Sequence, residues 1–241
     1  MNKLKIAIIC SMKEEISYLE EYIKKSSILR LGKIRLHFGK IKNVSFFLLI
    51  SGIGKVFSSM ATTWLINKIS PDIIMNFGIM GGLKELKIGD MVISKKTCYY
   101  DFDLSCFGYE IGQVPELPKF FYSDTNLIRA AKDSVKSLNF NCVIGTTCSG
   151  DRFIFGKRKS DFFHNFFPEA VGVDMEGAAI AQVCHLFSIP FVSIRSISDI
   201  INQSNTKEEV YENKKALLKP INDLNSVVIN FLKQISKIHL S

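Results

Sequence analysis

Two apolar runs in the last third of the chain, each ending in acidic residues, constrain the fold more than any other feature. Residues 171–173 are followed by Asp174 and Glu176, and residues 194–197 are followed by Asp199. Apolar, β-branched runs of this kind are typical of buried strands in a parallel sheet. Because ligands of open α/β sheets bind at the carboxyl ends of the strands, these acids are candidate site residues.

Each of these acids, taken alone, has an equally good structural interpretation, because acids are favoured at helix N-caps and in first turns. The residues after Glu176 are mostly small, within 177–181, and they predict a helix packed closely against the sheet. Two acidic strand ends, a helix between them and Arg195 in one short span together favour a functional site.

Short buried strands alternate with helical periodicity along the rest of the chain. The predicted strands are residues 5–10, 34–38, 44–50, 73–77, 90–98, 142–148 and 191–197, with a further strand and helix within 170–187. The predicted helices are residues 12–23, 56–69, a helix starting at Ser123-Asp124, and 208–238 with an interruption at Pro220. This alternation predicts an α/β fold with a central, mixed or mostly parallel twisted sheet flanked by helices. No repeat or linker divides the chain, so residues 1–241 are expected to form a single domain.

The composition argues against several kinds of partner. Hydrophobic residues make up 47% of the chain, but no stretch approaches an uninterrupted membrane span, so no membrane association is expected. The net charge is +8, yet the lysines are dispersed and not clustered with aromatic residues, so nucleic-acid binding is not expected. The start of the chain has no small-residue cleavage site, which argues against a secretory signal.

The cysteines and histidines show no pattern of disulfides or metal ligands. The six cysteines form no C-x-x-C pair and lie mostly in apolar runs, which indicates reduced, buried thiols and a cytoplasmic protein. The four histidines are scattered without metal-ligand spacing, so no metal site is expected.

Seven short motifs, in order along nearly the whole chain, carry a resemblance to a known family. They are S-M-K-E-E at 11–15, S-G-I-G-K at 51–55, N-F-G-I-M-G-G at 76–82, F-G-Y-E-I-G-Q at 107–113, S-G-D-R-F-I at 149–154, V-D-M-E at 173–176 and R-S-I-S-D at 195–199. With these motifs the chain resembles the 5′-methylthioadenosine/S-adenosylhomocysteine nucleosidases of the nucleoside phosphorylase/hydrolase superfamily. The resemblance implies a nucleoside phosphorylase-like fold and hydrolysis of an N-glycosidic bond to adenine, without a metal or organic cofactor.

The resemblance also implies roles for the acidic residues. Asp199 matches the acid that protonates adenine N7, and Glu15 matches the base that takes a proton from the attacking water. Glu176 would hold the ribose hydroxyls, with help from Met175 and Arg195. From spacing alone, Glu15 is as well explained by a first-turn helix charge.

Further residues match binding positions of the family. The purine would contact Phe153 and Ile154, and Gly81 would line the side of the water and sugar. Ser198 is a further candidate for substrate binding. The apolar 5′-thio substituent would contact Met12, Ile53, Met175, Leu104 and Phe107.

The loop at residues 99–122 is long and rich in aromatic residues. Loops with this much apolar surface are rarely free in water, so an oligomer interface is expected. The resemblance implies a homodimer in which Leu104 and Phe107 of this loop help to close the pocket of the second subunit.

Two other functions remain open: a purine nucleoside phosphorylase, and a nucleoside-binding protein without catalysis. Phosphorolysis requires cationic groups around a phosphate dianion, and no arginine stands at the matching positions in 10–13 and 76–78. Two positions depart from the family pattern: Asp174, where glutamate is usual, and Ile79, where a small or hydroxyl residue is usual beside the water.

Overall fold

The structure is a computed structural model that describes residues 4–41, 44–83, 85–154, 156–201 and 217–235. Its strands are β1 (Ile6–Cys10), β2 (Ile23–Leu31), β3 (Ile34–Ile41), β4 (Val44–Ile50), β5 (Ile73–Gly82), β6 (Met91–Tyr99), β7 (Phe121–Tyr122), β8 (Cys142–Ser149), β9 (Ala170–Asp174) and β10 (Phe191–Ile200). Its α-helices are α1 (Lys55–Ile69), α2 (Thr125–Lys136), α3 (Lys157–Phe166), α4 (Gly177–Leu186) and α5 (Leu218–Ile235). Three short 3-10 helices cover Lys13–Ile16, Leu19–Tyr22 and Ser105–Phe107.

The strands form one mixed sheet that closes on itself in part. Its order is β10-β6-β8-β9-β5-β1-β4-β3-β2, with β7 paired to β6. Because β10 also pairs with β5, the five strands from β10 to β5 form a closed ring, which is extended by β1, β4, β3 and β2. Pairing is parallel in β1–β4, β1–β5, β5–β10, β6–β8 and β8–β9, and antiparallel elsewhere. The predicted fold class is confirmed.

Strand β5 changes partners along its length, and this change exposes backbone groups. Strand β1 pairs with it up to Asn76, whereas β9 pairs with it only from Gly81. Strand β10 follows β5 from Ile74 to Gly82. The N–H and C=O groups between Asn76 and Gly81 are therefore free, on one edge, to bind side chains.

Helices cover both faces of the sheet. One apolar cluster joins α2 and α5 to β1, β4, β5 and β10, and a second joins α1 and α4 to the opposite face. The strands are therefore covered on both faces of the sheet, which explains why their sequences are continuous apolar runs. In the part of the chain that the structure describes, no helix has the length and apolar character needed to cross a membrane.

The helix predicted for residues 12–23 is wrong. Its apolar spacing fitted a helix, but Met12 is extended with φ of −125° and ψ of 151°. Two 3-10 helices follow, and Ile23 begins β2, which pairs with β3. The Glu15 carboxylate binds backbone N–H groups of Ser11 and Met12, and such local bonds compete with a regular helix.

Other differences lie at the margins of the predicted elements. Strand β2 and helix α3 were not predicted. Pro220 does not interrupt α5, because it lies in the first turn, where a missing N–H removes no helical bond. Residues 208–216 and 236–238 of the predicted C-terminal helix lie outside the described residues.

The side chain of Asn225 ties α5 to the turn that carries Glu15. Its Nδ2 donates to the Glu15 carbonyl at 2.8 Å and to the Ile221 carbonyl at 2.7 Å, and the residue is fully buried. Asn225→Ala should lower the free energy of unfolding by about 1–3 kcal/mol, because a buried carbonyl loses its donor. Urea unfolding measures this.

Asn67→Ala is the matched control. Asn67 also donates to a carbonyl four residues earlier, on α1, but is exposed. Its loss should change the free energy of unfolding by less than about 0.5 kcal/mol. Equal losses in the two variants would mean that the bond to Glu15 adds nothing.

Candidate active site

A cavity of about 180 Å³ opens where β1, β5, β8, β9 and β10 end. Its lining residues are Ser11, Met12, Glu15, Ile53, Ile79, Met80, Gly81, Arg152, Phe153, Ile154, Val173, Asp174, Met175, Glu176, Ser198 and Asp199. The structure thus brings together the two acidic strand ends and the first strand's turn, which lie far apart in sequence.

Glu15 is the most tightly held acid of the cavity. Its Oε2 accepts bonds from Ser11 N at 2.9 Å, Met12 N at 2.9 Å and Ser11 Oγ at 3.0 Å. Its Oε1 accepts the Ile79 N–H at 3.1 Å, from the free edge of β5. Oε1 accepts one of these bonds whereas Oε2 accepts three, so Oε1 has capacity left for a proton donor in the cavity.

The pKa of Glu15 reflects opposing effects. Burial is the largest effect, because the side chain is 1% exposed, and it leaves the pKa of Glu15 above its ordinary value. The positive charge of Arg195 is the largest effect that lowers it, followed by the N–H groups of Met12 and Ile79 and the hydroxyl of Ser11. These donors favour the carboxylate form, as a base requires.

Asp199 lies on the other side of the cavity, at an irregularity of β10. The register with β5 shifts between Ile197 and Asp199, and such bulges re-aim side chains beside active sites. Burial raises the pKa of Asp199, and the hydrogen bond from the Ser198 hydroxyl opposes this rise. Ser198 Oγ lies 2.6 Å from Asp199 Oδ1 and 3.1 Å from the Met80 carbonyl.

Glu176 follows β9 and precedes α4. Its Oε1 accepts the Gly54 N–H at 2.9 Å. Burial is the main effect that raises its pKa to about 7, and the neighbouring Asp174 adds to it, whereas Arg195 and the Gly54 N–H lower it. Its location between Met175 and the Gly54 loop lets it accept hydrogen bonds from a ligand hydroxyl.

Arg195 lies behind the lining and is 1% exposed. Its Nη2 is 2.6 Å from Asp174 Oδ2 and donates to Asn76 Oδ1 at 2.5 Å. Its Nη1 and the Glu15 carboxyl meet over Gly78, where an added methyl group would overlap both. The structure therefore places Arg195 among the buried carboxylates and outside the cavity lining.

Asp174 and Asn76 received no role from the sequence. Asp174 Oδ1 accepts bonds from Ser149 Oγ at 2.5 Å and Gly177 N at 3.1 Å, so Asp174 anchors both β8 and α4 to Arg195. Asn76 Nδ2 donates to the Ile9 carbonyl at 3.0 Å. The signal for Asn76 was a polar residue inside the apolar run 73–77, which in a buried strand requires a partner.

The remaining walls are mostly apolar. Phe153 is 53% exposed and Ile154 is 6% exposed, in the segment that follows β8. Met12, Ile53 and Met175 also line the cavity. Ile79 and Gly81 lie on the β5 side, so the departure at Ile79 places a branched hydrocarbon beside Glu15.

Two residues expected in the pocket do not line it in this chain. Leu104 and Phe107 lie in the loop after β6, and Phe107 is 76% exposed.

Comparison with known proteins gives one consistent result. The model of the phosphorylase superfamily matches residues 5–230. The 5′-methylthioadenosine/S-adenosylhomocysteine nucleosidase of Buchnera aphidicola is 42% identical over 235 residues, covering 93% of this chain and 100% of that protein. The nucleosidase of the same name from Haemophilus ducreyi is 44% identical over 202 residues, covering 83% of this chain and 87% of that protein.

Solved structures agree with this result. The nucleosidase of Neisseria meningitidis, in complex with methylthio-immucillin-A, superposes with a TM-score of 0.89 at 35% identity, covering 95% of this chain and 98% of that one. The enzyme of Colwellia psychrerythraea, in complex with adenine, has a TM-score of 0.91 at 35% identity, covering 100% and 99%. The chain belongs to the phosphorylase superfamily and, within it, to the 5′-methylthioadenosine/S-adenosylhomocysteine nucleosidase family. The family resemblance seen in the sequence is confirmed.

The raised pKa of Glu176 makes stability depend on pH. The folded protein binds the Glu176 proton more tightly than the unfolded chain, so the free energy of unfolding falls as pH rises from about 4.5 to about 7. From these two values the fall is roughly 3 kcal/mol. Glu176→Gln should lack this part of the fall in urea unfolding measured between pH 4 and 8.

Glu14→Gln provides the control, because Glu14 is an exposed acid next to Glu15. It should keep the pH dependence of the parent. If Glu176→Gln also keeps it, Glu176 does not hold a proton in the folded protein at these pH values.

Proposed function

We propose that the protein hydrolyses the N-glycosidic bond of 5′-methylthioadenosine and S-adenosylhomocysteine, and of 5′-deoxyadenosine as well. The products are adenine and the 5-substituted ribose. The observation that carries this proposal is the placement of Glu15 and Asp199 in one cavity, in contrasting surroundings. The named activity of the relatives supports the choice of substrates.

Asp199 is proposed as the general acid. Adenine is a poor leaving group as an anion, and protonation at N7 removes that obstacle. A carboxyl group whose pKa is raised by burial retains a proton at higher pH and can donate it. Ser198, which contacts Oδ1, would orient this carboxyl.

Glu15 is proposed as the base that receives a proton from the attacking water. Its four donors and Arg195 favour the carboxylate, and Oε1 has a free acceptor position towards the cavity. Acid and base in different surroundings match the division of labour of inverting glycoside hydrolysis, with an oxocarbenium-like sugar between them.

The other lining residues are proposed to bind the substrate. Glu176 would accept hydrogen bonds from the ribose 2′- and 3′-hydroxyls beside Met175, and Gly81 would lie on the side of the water and sugar. Phe153 and Ile154 would contact the purine. An apolar 5′-thio group suits the remaining wall of Met12, Ile53 and Met175. This scheme uses no metal and no organic cofactor, because carboxyl groups supply both acid and base.

Water is favoured over phosphate as the nucleophile by the groups around Glu15. A phosphate dianion requires converging cations. The lining beside Glu15 consists of Ser11, Met12 and Ile79, and Arg195 is turned to Asp174 and Asn76. Among the described lining residues the cation is Arg152, and it lies in the segment that carries Phe153.

The test of this proposal is release of adenine from 5′-methylthioadenosine with and without phosphate. We expect the same rate in both, with 5-methylthioribose as the sugar product. A ribose 1-phosphate product would show a phosphorylase instead. No adenine release in either condition would indicate a binding protein without catalysis.

Asp199→Asn should lower the rate of adenine release by about 10²-fold or more, since an amide cannot supply the proton to N7. Ser196→Ala is a control in the same strand, because Ser196 is buried, lies outside the cavity lining, and its hydroxyl has no hydrogen-bond partner among the described residues. Turnover of Asp199→Asn close to the parent value would remove Asp199 from the mechanism.

A homodimer completes the proposal. Phe107 is 76% exposed, Val56 at the start of α1 is 78% exposed, and Ile53 in the loop before α1 is 51% exposed. They offer apolar surface of the kind that interfaces cover. Leu104 and Phe107 would then close the 5′ side of the partner's pocket. Light scattering at micromolar concentration should give twice the chain mass, and a fully active monomer would contradict this arrangement.

We also propose a cytoplasmic location on the basis of the thiols. Cys10, Cys98, Cys148 and Cys184 are buried and free, which suits a reducing compartment.

A further inference from the structure

Lys55, Asp101 and Asp151 form an ion cluster beside the cavity, here called the Lys55 cluster. Lys55 Nζ lies 2.7 Å from Asp101 Oδ1 and 3.8 Å from Asp151 Oδ2. The side chains of Lys55, Asp101 and Asp151 are 25%, 18% and 45% exposed. No member of the cluster lines the cavity, and the scheme proposed above gives none of them a role.

Two backbone bonds turn the cluster into a closed network. Asp151 Oδ1 accepts the Lys55 N–H at 2.8 Å, at the first residue of α1. Asp101 Oδ2 accepts the Asp151 N–H at 2.8 Å. Each of the four carboxylate oxygens thus faces one donor or cation of the network. The network joins the start of α1, the segment after β8 and the loop after β6.

The network connects the loop that holds Glu176 with the segment that carries Phe153. Gly54, whose N–H donates to Glu176, precedes Lys55 and has a φ of +96°. A side chain at Gly54 would also bring its Cβ within 3.0 Å of Asp151 Oδ1. Phe153 follows Asp151 by two residues. The network therefore sets the position of the ribose-binding acid relative to the purine-binding segment.

The positive charge is the part of the network that a neutral side chain could not replace. Asp101 and Asp151 are adjacent through the bond from Asp151 N, and Lys55 Nζ lies between their carboxylates. Without the ammonium group, two carboxylates in a partly buried site would repel each other. Separation of these residues would displace the Gly54 loop and the Phe153 segment together.

We propose that Lys55 is a positioning residue: its ammonium group holds Asp101 and Asp151 together, and this fixes the purine and ribose contacts of the cavity. The inference rests on the function proposed above. Since Lys55 does not contact the reacting atoms, it acts on binding of the nucleoside more than on the chemical step. A displacement of about 1 Å can change rates by about 10²-fold.

The experiment compares Lys55→Met, Lys55→Arg and Lys96→Met with the parent. Lys96 provides the matched control, because its Nζ lies 2.8 Å from Glu169, its side chain is 18% exposed, and it is not in the lining. For Lys55→Met we expect kcat/KM for 5′-methylthioadenosine to fall about tenfold or more through KM, since uniform binding is lost. The kcat/KM of Lys55→Arg should stay within about threefold of the parent value, because the positive charge is retained. The kcat/KM of Lys96→Met should also stay within about threefold, because the Lys55 cluster is intact.

A double variant separates positioning from general loss of structure. In Lys55→Met combined with Asp101→Asn, the repulsion between the two carboxylates is gone. The KM should then move back towards the parent value, although one more native group has been removed. A merely structural role of Lys55 would make the double variant worse than Lys55→Met. Thermal unfolding is measured for every variant to test whether it is folded under assay conditions.

Binding of adenine, measured by titration calorimetry, keeps this inference separate from the catalytic proposal. The Kd of adenine should rise about tenfold in Lys55→Met, an effect that requires no turnover. If the parent releases no adenine from the nucleoside, the proposed function fails, whereas the binding result still decides the role of Lys55. An unchanged Kd and KM in Lys55→Met, or a loss confined to kcat, would overturn the inference.

Discussion

The ion pair between Arg195 and Asp174 is the interaction on which the site depends. Glu15, Asp174 and Glu176 are all nearly buried, and buried carboxylates are stable only when charge and hydrogen bonds compensate them. Arg195 brings β10 to β9 through Asp174 and to β5 through Asn76. The same charge lowers the pKa of Glu15 and of Glu176 against the effect of burial. One buried cation therefore joins the strands of the site and opposes the rise that burial causes in the pKa of Glu15.

The closed part of the sheet makes this arrangement possible. Because β5 leaves β1 after Asn76 and meets β9 only at Gly81, its edge has free N–H groups where the cavity begins. The Ile79 N–H fills this position for Glu15, so the base is held by backbone, whichever side chain stands at residue 79. Such preorganised donors need no rearrangement during the reaction, which suits an enzyme whose chemistry relies on two carboxyl groups.

The sequence was most informative where one local pattern has one structural solution. The apolar runs predicted β1, β4, β6 and β8, and the acidic ends at 174–176 and 199 pointed to the right edge of the sheet. The sequence was least informative at residues 12–23. The apolar residues there have helical spacing, but no α-helix forms, because the Glu15 carboxylate accepts hydrogen bonds from the N–H groups of the turn. Strand β2 was missed because its identity depends on pairing with β3, which no local pattern shows.

The sequence by itself determined the α/β class, the acids at the strand ends and, through its motifs, the family. Only the tertiary structure decided what surrounds each acid. Asn76 and Asp174 became partners of Arg195, and Gly54 became a donor to Glu176, across separations of more than a hundred residues for two of these contacts. The physical reason is that burial, charge and hydrogen bonding depend on which groups are neighbours in space, and not on which residues are neighbours in sequence. The sequence alone does not show whether an acidic residue becomes a general acid, a general base or an anchor for other side chains.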